Sequence, residues 1–198
     1  MTSGVTERDR AKADRQAAIL HEAARLFAER GYSGVSLEDL GAAVGVSGPA
    51  VYRHFENKQA LLGAILVGVS QRLRAGGRAV AEAGGTPEEQ LHAIIAFHVD
   101  FALADADVIR VQDRDLASLR DEDRHTVRRL QREYVELWIQ VLAQLHPERT
   151  ESDLRIRAHA CFGLMNSTPH SLRAARITPS DRIARPILES MALAALTR

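Results

Sequence analysis

The chain has 198 residues, 45% of them hydrophobic, which suits one or two domains with a real core. Its 26 basic and 26 acidic residues cancel, so a positive surface for nucleic acid must come from placement rather than bulk charge. The lone Cys161 excludes an internal disulfide and a thiolate zinc cluster. With no long apolar run and no signal peptide, a cytoplasmic protein outside the membrane is expected.

Residues 1–13 show no apolar periodicity and read as an arm. Its Arg8, Arg10 and Lys12, with Arg15 just beyond, either reach phosphates and a minor groove or are solvated beside the interleaved acids. A first helix is predicted over 14–30, with Ile19, Ala23, Leu26 and Phe27 inward and Gly31 as its stop. Residues 36–58, SLEDLGAAVGVSGPAVYRHFENK, then read as two short helices around a tight turn. Ser36 is an N-cap candidate, with Glu38 and Asp39 in the first turn. Leu37, Leu40 and Val44 form one face, and Gly45 ends the helix. Ser47 caps the next helix, and Pro49 sits in its first turn, where a missing N–H costs little. Val51 and Phe55 point inward, leaving Pro49, Ala50, Tyr52, Arg53 and His54 outside. This is the helix-turn-helix layout.

A fourth helix is predicted from an Asn57 cap to about residue 75, with Leu62, Ile65, Val69 and Leu73 buried and Gly76-Gly77 and Gly84-Gly85 as linker. Thr86-Pro87-Glu88-Glu89 is a strong start signal for a helix carrying Leu91, Ile94, Ile95 and Phe101. A short helix is expected over 106–119 and a long one over 121–145, striped by Val127, Leu130, Tyr134, Leu137, Trp138 and Val141 and ended by His146-Pro147. Thr150 and Asp153 open the next, through Leu154, Ala158, Cys161, Phe162 and Met165. Pro169 should kink or break it. Thr178-Pro179-Ser180-Asp181 starts the last. Neither strand alternation nor an internal repeat is present. The fold class is therefore all-α. A three-helix helix-turn-helix DNA-binding domain (1–58) is linked by a helix over 57–75 to a second helical domain (76–198).

Ala24-Arg25-Leu26-Phe27, Gly31-Tyr32, Ser36, Asp39-Leu40, Gly45-Val46-Ser47, Val51-Tyr52-Arg53-His54-Phe55, Asn57-Lys58 and Leu61-Leu62 together resemble the TetR family of bacterial transcriptional regulators over residues 15–66. Two positions depart: Gly41 stands where the family usually has alanine, and Pro49 is uncommon in that turn. The resemblance implies a non-enzymatic homodimer that binds a palindromic operator in double-stranded DNA. It makes 76–198 the ligand-binding and dimerisation domain: a small molecule would release the protein from the operator, and the two C-terminal helices would form the dimer interface. The small residues Ala158, Ala160, Gly163, Ala192, Ala194 and Ala195 suit such an interface. Tyr52, His54 and Lys58 match the family's phosphate-contacting positions, within a DNA-facing set that includes Ser36, Ser47, Gly48, Pro49 and Ala50. Arg53 is the candidate base reader, because arginine pairs bidentately with guanine. Twofold symmetry would set the two recognition helices about 34–36 Å apart.

The family also implies an effector pocket among the fourth to eighth helices. His98, Gln112, Arg114, Trp138, His159, Asn166 and His170 lie near apolar stripes, and a few convergent polar groups in an apolar cavity are what such a site needs. Each also fits a satisfied core hydrogen bond or a solvated face. Asn166 and His170, four apart beside Pro169, lead the set. The run Gln112-Asp113-Arg114-Asp115 reads as a pocket wall or a surface salt-bridge cluster. Residues 110–116 and 164–170 resemble actinobacterial TetR regulators of acyl-CoA and branched-chain catabolism, which implies an acyl-CoA or lipid-like carboxylate effector. A hydrophobic drug-like ligand, as in efflux regulators, is the alternative. From other classes come a helical ligand binder without DNA function and a small helical enzyme. The chain lacks a His-Glu-x-x-His run, a nucleophile elbow and a phosphate-cradling glycine loop, so no metal, cofactor or catalytic residue is expected.

Overall fold

The structure, a computed structural model, describes residues 6–174 and 181–198. Every regular element among them is helical: α1 Glu7–Arg30, α2 Leu37–Ala43, α3 Gly48–Val51, α4 Lys58–Glu82, α5 Pro87–Ala104, α6 Ala106–Asp115, a 3-10 turn Leu116–Ser118, α7 Asp121–Leu145, α8 Glu151–Ala174 and α9 Asp181–Leu196. None of these helices is long and apolar enough to cross a membrane.

Three boundaries differ from expectation. The predicted arm is already helical from Glu7, because Thr6 and Asp9 form a capping box. The Thr6 hydroxyl accepts from the Asp9 amide at 3.2 Å, and the Asp9 carboxylate accepts from the Thr6 amide at 3.3 Å. That cap starts the helix before any apolar stripe appears. Second, α4 continues to Glu82 and passes straight through Gly76 and Gly77. These glycines are sites of close approach, not linker. A Cβ on Gly76 would strike the Phe97 ring, and one on Gly77 would lie 2.6 Å from the Tyr134 ring. Third, α8 passes through Pro169 undivided. The Ser167 and Thr168 hydroxyls donate to the Gly163 and Leu164 carbonyls at 2.6 and 2.7 Å, and Pro169 itself is buried, so packing overrides its helix-breaking tendency. The expected start of the last helix at Thr178-Pro179-Ser180 lies outside the described residues, as do residues 1–5.

The helices enclose two hydrophobic clusters. One is built on Ile19, Phe27, Leu40, Val51, Leu62 and Leu66 from α1 to α4. The other is built on Leu91, Ile94, Trp138, Leu142, Leu154 and Met165 from α5, α7 and α8 and is closed by Leu188 and Ala192 of α9. The α6 helix serves both: Val108 and Val111 enter the first cluster and Ile109 enters the second. Two polar contacts reinforce that junction, Gln59 Nε2 donating to the Ser118 carbonyl at 3.0 Å and Arg120 paired with Glu56 at 3.1 Å.

Candidate functional site

The helix-turn-helix begins with a second capping box. The Ser36 hydroxyl accepts from the Asp39 amide at 3.0 Å, and the Asp39 carboxylate accepts from the Ser36 amide at 2.8 Å. The hydrogen bonds from Ser36, its backbone first, hold the Asp39 carboxyl below the usual carboxylate range. The far end of α2 closes with the Val46 amide on the Gly41 carbonyl at 2.8 Å and the Gly45 amide on the Ala42 carbonyl at 3.3 Å. Gly45 takes a φ of 69°, the left-handed conformation this ending requires. A Cβ on Gly41 would lie 2.7 Å from the Val46 carbonyl oxygen and 2.8 Å from the Gly48 nitrogen. Glycine at position 41 is what lets the turn lie against α2.

Ser47 occupies the N-cap of α3, but its side chain makes no capping bond. An N-cap hydroxyl serves the second or third helical N–H. Here the second is Pro49, and the third, on Ala50, already bonds the Ser47 carbonyl at 2.8 Å. Val51 and Phe55 are buried as expected, while Tyr52 is 53% exposed and Arg53 is exposed. His54 is half-buried, with Nδ1 unbonded. It borders an open hollow shared with Lys12 and Arg15 of α1, so Lys12 of the supposed arm and Arg15 just beyond it stand beside the end of α3 on a helix.

Two of the expected DNA-facing side chains are otherwise engaged. Lys58 Nζ donates to the Tyr32 and Val35 carbonyls, each at 2.9 Å, and lies 4.5 Å from the Tyr32 ring centroid. It fastens the loop between α1 and α2 to the start of α4, because a buried carbonyl pair and a ring face hold an ammonium better than open solvent does. The Ser36 hydroxyl donates to Asp39 at 2.7 Å.

The second site is a cavity of about 250 Å³ enclosed by α4 to α8. Four of the seven expected residues line it: His98, Gln112, His159 and Asn166. His98 is only 2% exposed, and burial brings its pKa down to about 4, against the small opposing pull of its bond to Asn166. Its Nδ1 lies 3.1 Å from the Tyr134 hydroxyl and its Nε2 lies 3.1 Å from Asn166 Oδ1. An amide oxygen can only accept, so Nε2 carries the proton and Nδ1 accepts from Tyr134. Burial also raises the Tyr134 pKa. Trp138 is fully buried just behind the lining, edge-on to His98 and to Phe162, with centroids 5.8 and 5.0 Å away. His159 is exposed at the rim, edge-on to Phe162.

Arg114 and His170 are not in the lining. Helix α8 continues unbroken, so His170 stands about 6 Å further along its axis than Asn166, where it acts electrostatically on Asp113. Arg114 turns away from the cavity. Its guanidinium pairs with the mostly buried Asp115 at 2.9 Å and donates to the Phe27 and Ala28 carbonyls in the last turn of α1. The run 112–115 is therefore split, with Gln112 on the cavity wall and Arg114 and Asp115 at the junction with α1. Tyr134, Phe162, Phe101 and Ser70 also line the cavity. Sequence reasoning placed the first three in apolar stripes or did not single them out. The only available signal was that Tyr134 and Phe162 fall on the same stripes as Trp138 and Cys161.

A helix-turn-helix with exposed Tyr52 and Arg53, coupled through shared helices to an enclosed aromatic cavity, defines a two-part regulator architecture. Residues 19–65 match the bacterial regulatory proteins of the tetR family, and residues 84–173 match the tetracyclin repressor-like C-terminal domain. The chain belongs to the TetR family. It is similar to the HTH-type transcriptional repressor KstR2 of Rhodococcus jostii, with 28% identity over 132 residues, 66% of this chain and 65% of that repressor. The match thus spans just under two thirds of that relative. A TetR-family transcriptional regulator from Bordetella parapertussis has a similar crystal structure, with a TM-score of 0.80 at 22% identity over 91% of this chain and 93% of that one. AibR, solved in complex with isovaleryl coenzyme A and operator DNA, has a TM-score of 0.74 at 21% identity over 90% and 96% of the respective chains. At these identities both structures speak for the fold alone.

Proposed function

We propose that this chain is a ligand-responsive transcriptional repressor that binds operator DNA as a homodimer. The observation that carries the reading is that α4 and α6 each belong to both halves. Leu73 and Ser70 of α4 and Gln112 of α6 line the cavity, while the start of α4 carries Lys58 and α6 carries Arg114, both bonded into the helix-turn-helix unit. A ligand that prefers a different separation of α4 and α6 must therefore shift α1 and α3. By linkage it can weaken operator binding only as much as it prefers the shifted state. Tyr52 and His54 are assigned to phosphates with Lys12 and Arg15 assisting, and Arg53 to a base edge. The effector sits in the cavity. AibR, which shares this fold, was solved with isovaleryl coenzyme A, so an acyl-CoA is one effector to test. That no lysine or arginine lines the cavity among the described residues favours the drug-like alternative, because a buried carboxylate or phosphate needs a cation.

The test is binding to a duplex carrying the palindrome upstream of this chain's own gene, over a salt series, with Arg53→Ala and Tyr52→Ala beside the wild type. Wild-type dimers should bind saturably, and Arg53→Ala should lose about tenfold or more, as a bidentate base contact is worth ~1–3 kcal/mol. No specific binding to that duplex or to genomic fragments would overturn the reading.

A further inference from the structure

We infer that the cavity takes a small, neutral, ring-bearing ligand with one hydrogen-bond acceptor, and that the Asn166 amide NH₂ reads that acceptor. This rests on the ligand-responsive reading above and narrows it to a chemical class. Size is the first constraint. An apolar cavity of ~150 Å³ holds a benzene ring, so one of about 250 Å³ has room for about ten heavy atoms of a ligand within its walls. Shape is the second. Phe101, Tyr134, Phe162 and His98 give an aromatic wall, with Phe162 stacked on Tyr134 at a 6.0 Å centroid distance and tilted on His98 at 4.9 Å. Such a wall favours a flat ring in offset or edge contact.

Charge is the third constraint. Among the described residues, no lysine, arginine, aspartate or glutamate lines the cavity. Its one fully buried titratable ring, His98, has both nitrogens engaged and stays uncharged at neutral pH. An anion or cation would enter without a partner.

Hydrogen-bond direction is the fourth. Tyr134 donates to His98 and His98 donates to Asn166 Oδ1. With Oδ1 taken up by the His98 N–H, the NH₂ is the donor that Asn166 presents to the cavity. A ligand acceptor, such as a ketone, ether or amide carbonyl, would meet it.

The experiment uses the full-length protein and the fluorescence of Trp138, the only tryptophan, which packs edge-on against two groups of the wall. The probes are 1-indanone, indane, indane-1-carboxylate and isovaleryl coenzyme A. Operator binding is measured in parallel. The wild type should bind 1-indanone at least tenfold more tightly than indane or the carboxylate. Asn166→Asp keeps an acceptor for His98 and removes the NH₂ donor, so it should abolish the preference over indane. Asn166→Leu should do the same, and helical circular dichroism confirms that either variant is folded. Tighter binding of indane-1-carboxylate or isovaleryl coenzyme A overturns the inference, as does an unchanged preference in the folded variants or no binding of any probe. In each case intact operator binding leaves the DNA-binding reading standing, whereas loss of operator binding by the wild type sinks that reading separately.

Discussion

His98 is a titratable ring held inside the chain's core. It is fully buried, and its pKa falls from an ordinary 6.5 to about 4, because burial disfavours the charged ring more than the bond to Asn166 favours it. The unfolded chain takes up a proton at this residue below about pH 6.5, while the folded chain holds it off until about pH 4. The folded-state pKa is the lower one, so the contribution to stability is complete above about pH 6.5 and is lost as pH falls towards 4. The total is about 3 kcal/mol, an order-of-magnitude figure for a fully buried group. Urea unfolding at pH 7 and pH 4.5 should show wild-type stability dropping more steeply than that of His98→Gln, whose side chain has nothing to titrate. Parallel slopes would assign the acid sensitivity to other groups, such as Asp153, whose carboxyl is held low by Arg157 and Arg149.

At the level of elements, α6 is where the molecule's two halves are joined most directly. In the last turn of α1, Arg114 donates to the carbonyls of Phe27, which also accepts from the Gly31 amide at 2.8 Å, and of Ala28, as a cation at a helix C-terminus should. Arg114→Ala should expose that turn. Amide exchange in the last turn of α1 should speed up several-fold while the centre of α7 keeps its protection, and global stability should fall by about 1–2 kcal/mol. Uniform acceleration across the chain would mean that Arg114 supports the fold generally and does not tie α6 to α1. The helix itself was legible over 106–119, but its place between the two cores was not. Its ten residues serve two cores, so Val108, Ile109 and Val111 follow no single stripe, and Arg114 between two aspartates looks like a solvated cluster. The helix-turn-helix was legible because Ser36, Gly45, Pro49, Val51 and Phe55 each impose a local constraint that no distant contact has to complete. The start of α1 was missed because a polar helix has no periodicity, and only the Thr6–Asp9 cap marks it. Gly76 and Gly77 misled because glycine that admits a neighbouring ring looks the same in sequence as glycine that bends a chain. Likewise, half of the cavity is built from stripe residues such as Tyr134 and Phe162, whose side chains look like core until the space between them is seen.

At the scale of the whole molecule, one apolar surface has no covering partner among the described residues. On α9, Ile183, Ile187 and Met191 are 60%, 52% and 50% exposed, and on α8 Ile156 is 67% exposed. The three on α9 recur every four residues, with exposed Ala195 next in line, and so form a continuous apolar stripe. The small residues expected to serve a dimer divide by side. Ala158 and Ala192 are fully buried and let α8 pack on α9 within one chain, while Ala160, Gly163, Ala194 and Ala195 face outward with the stripe. A second copy related by a twofold axis presents the same surface and can cover it, which is how most soluble homo-oligomers close. The double variant Ile187→Glu, Met191→Glu should therefore sediment as a monomer. Its helical content should be unchanged, because neither side chain belongs to the chain's own core. It should also lose specific operator binding far more steeply than non-specific binding. A palindrome rewards two recognition helices held one DNA turn apart, whereas each single unit retains only its phosphate contacts. A folded variant that remains dimeric would place the interface elsewhere. A monomer that still binds the full palindrome at wild-type affinity would show that symmetry contributes nothing to recognition.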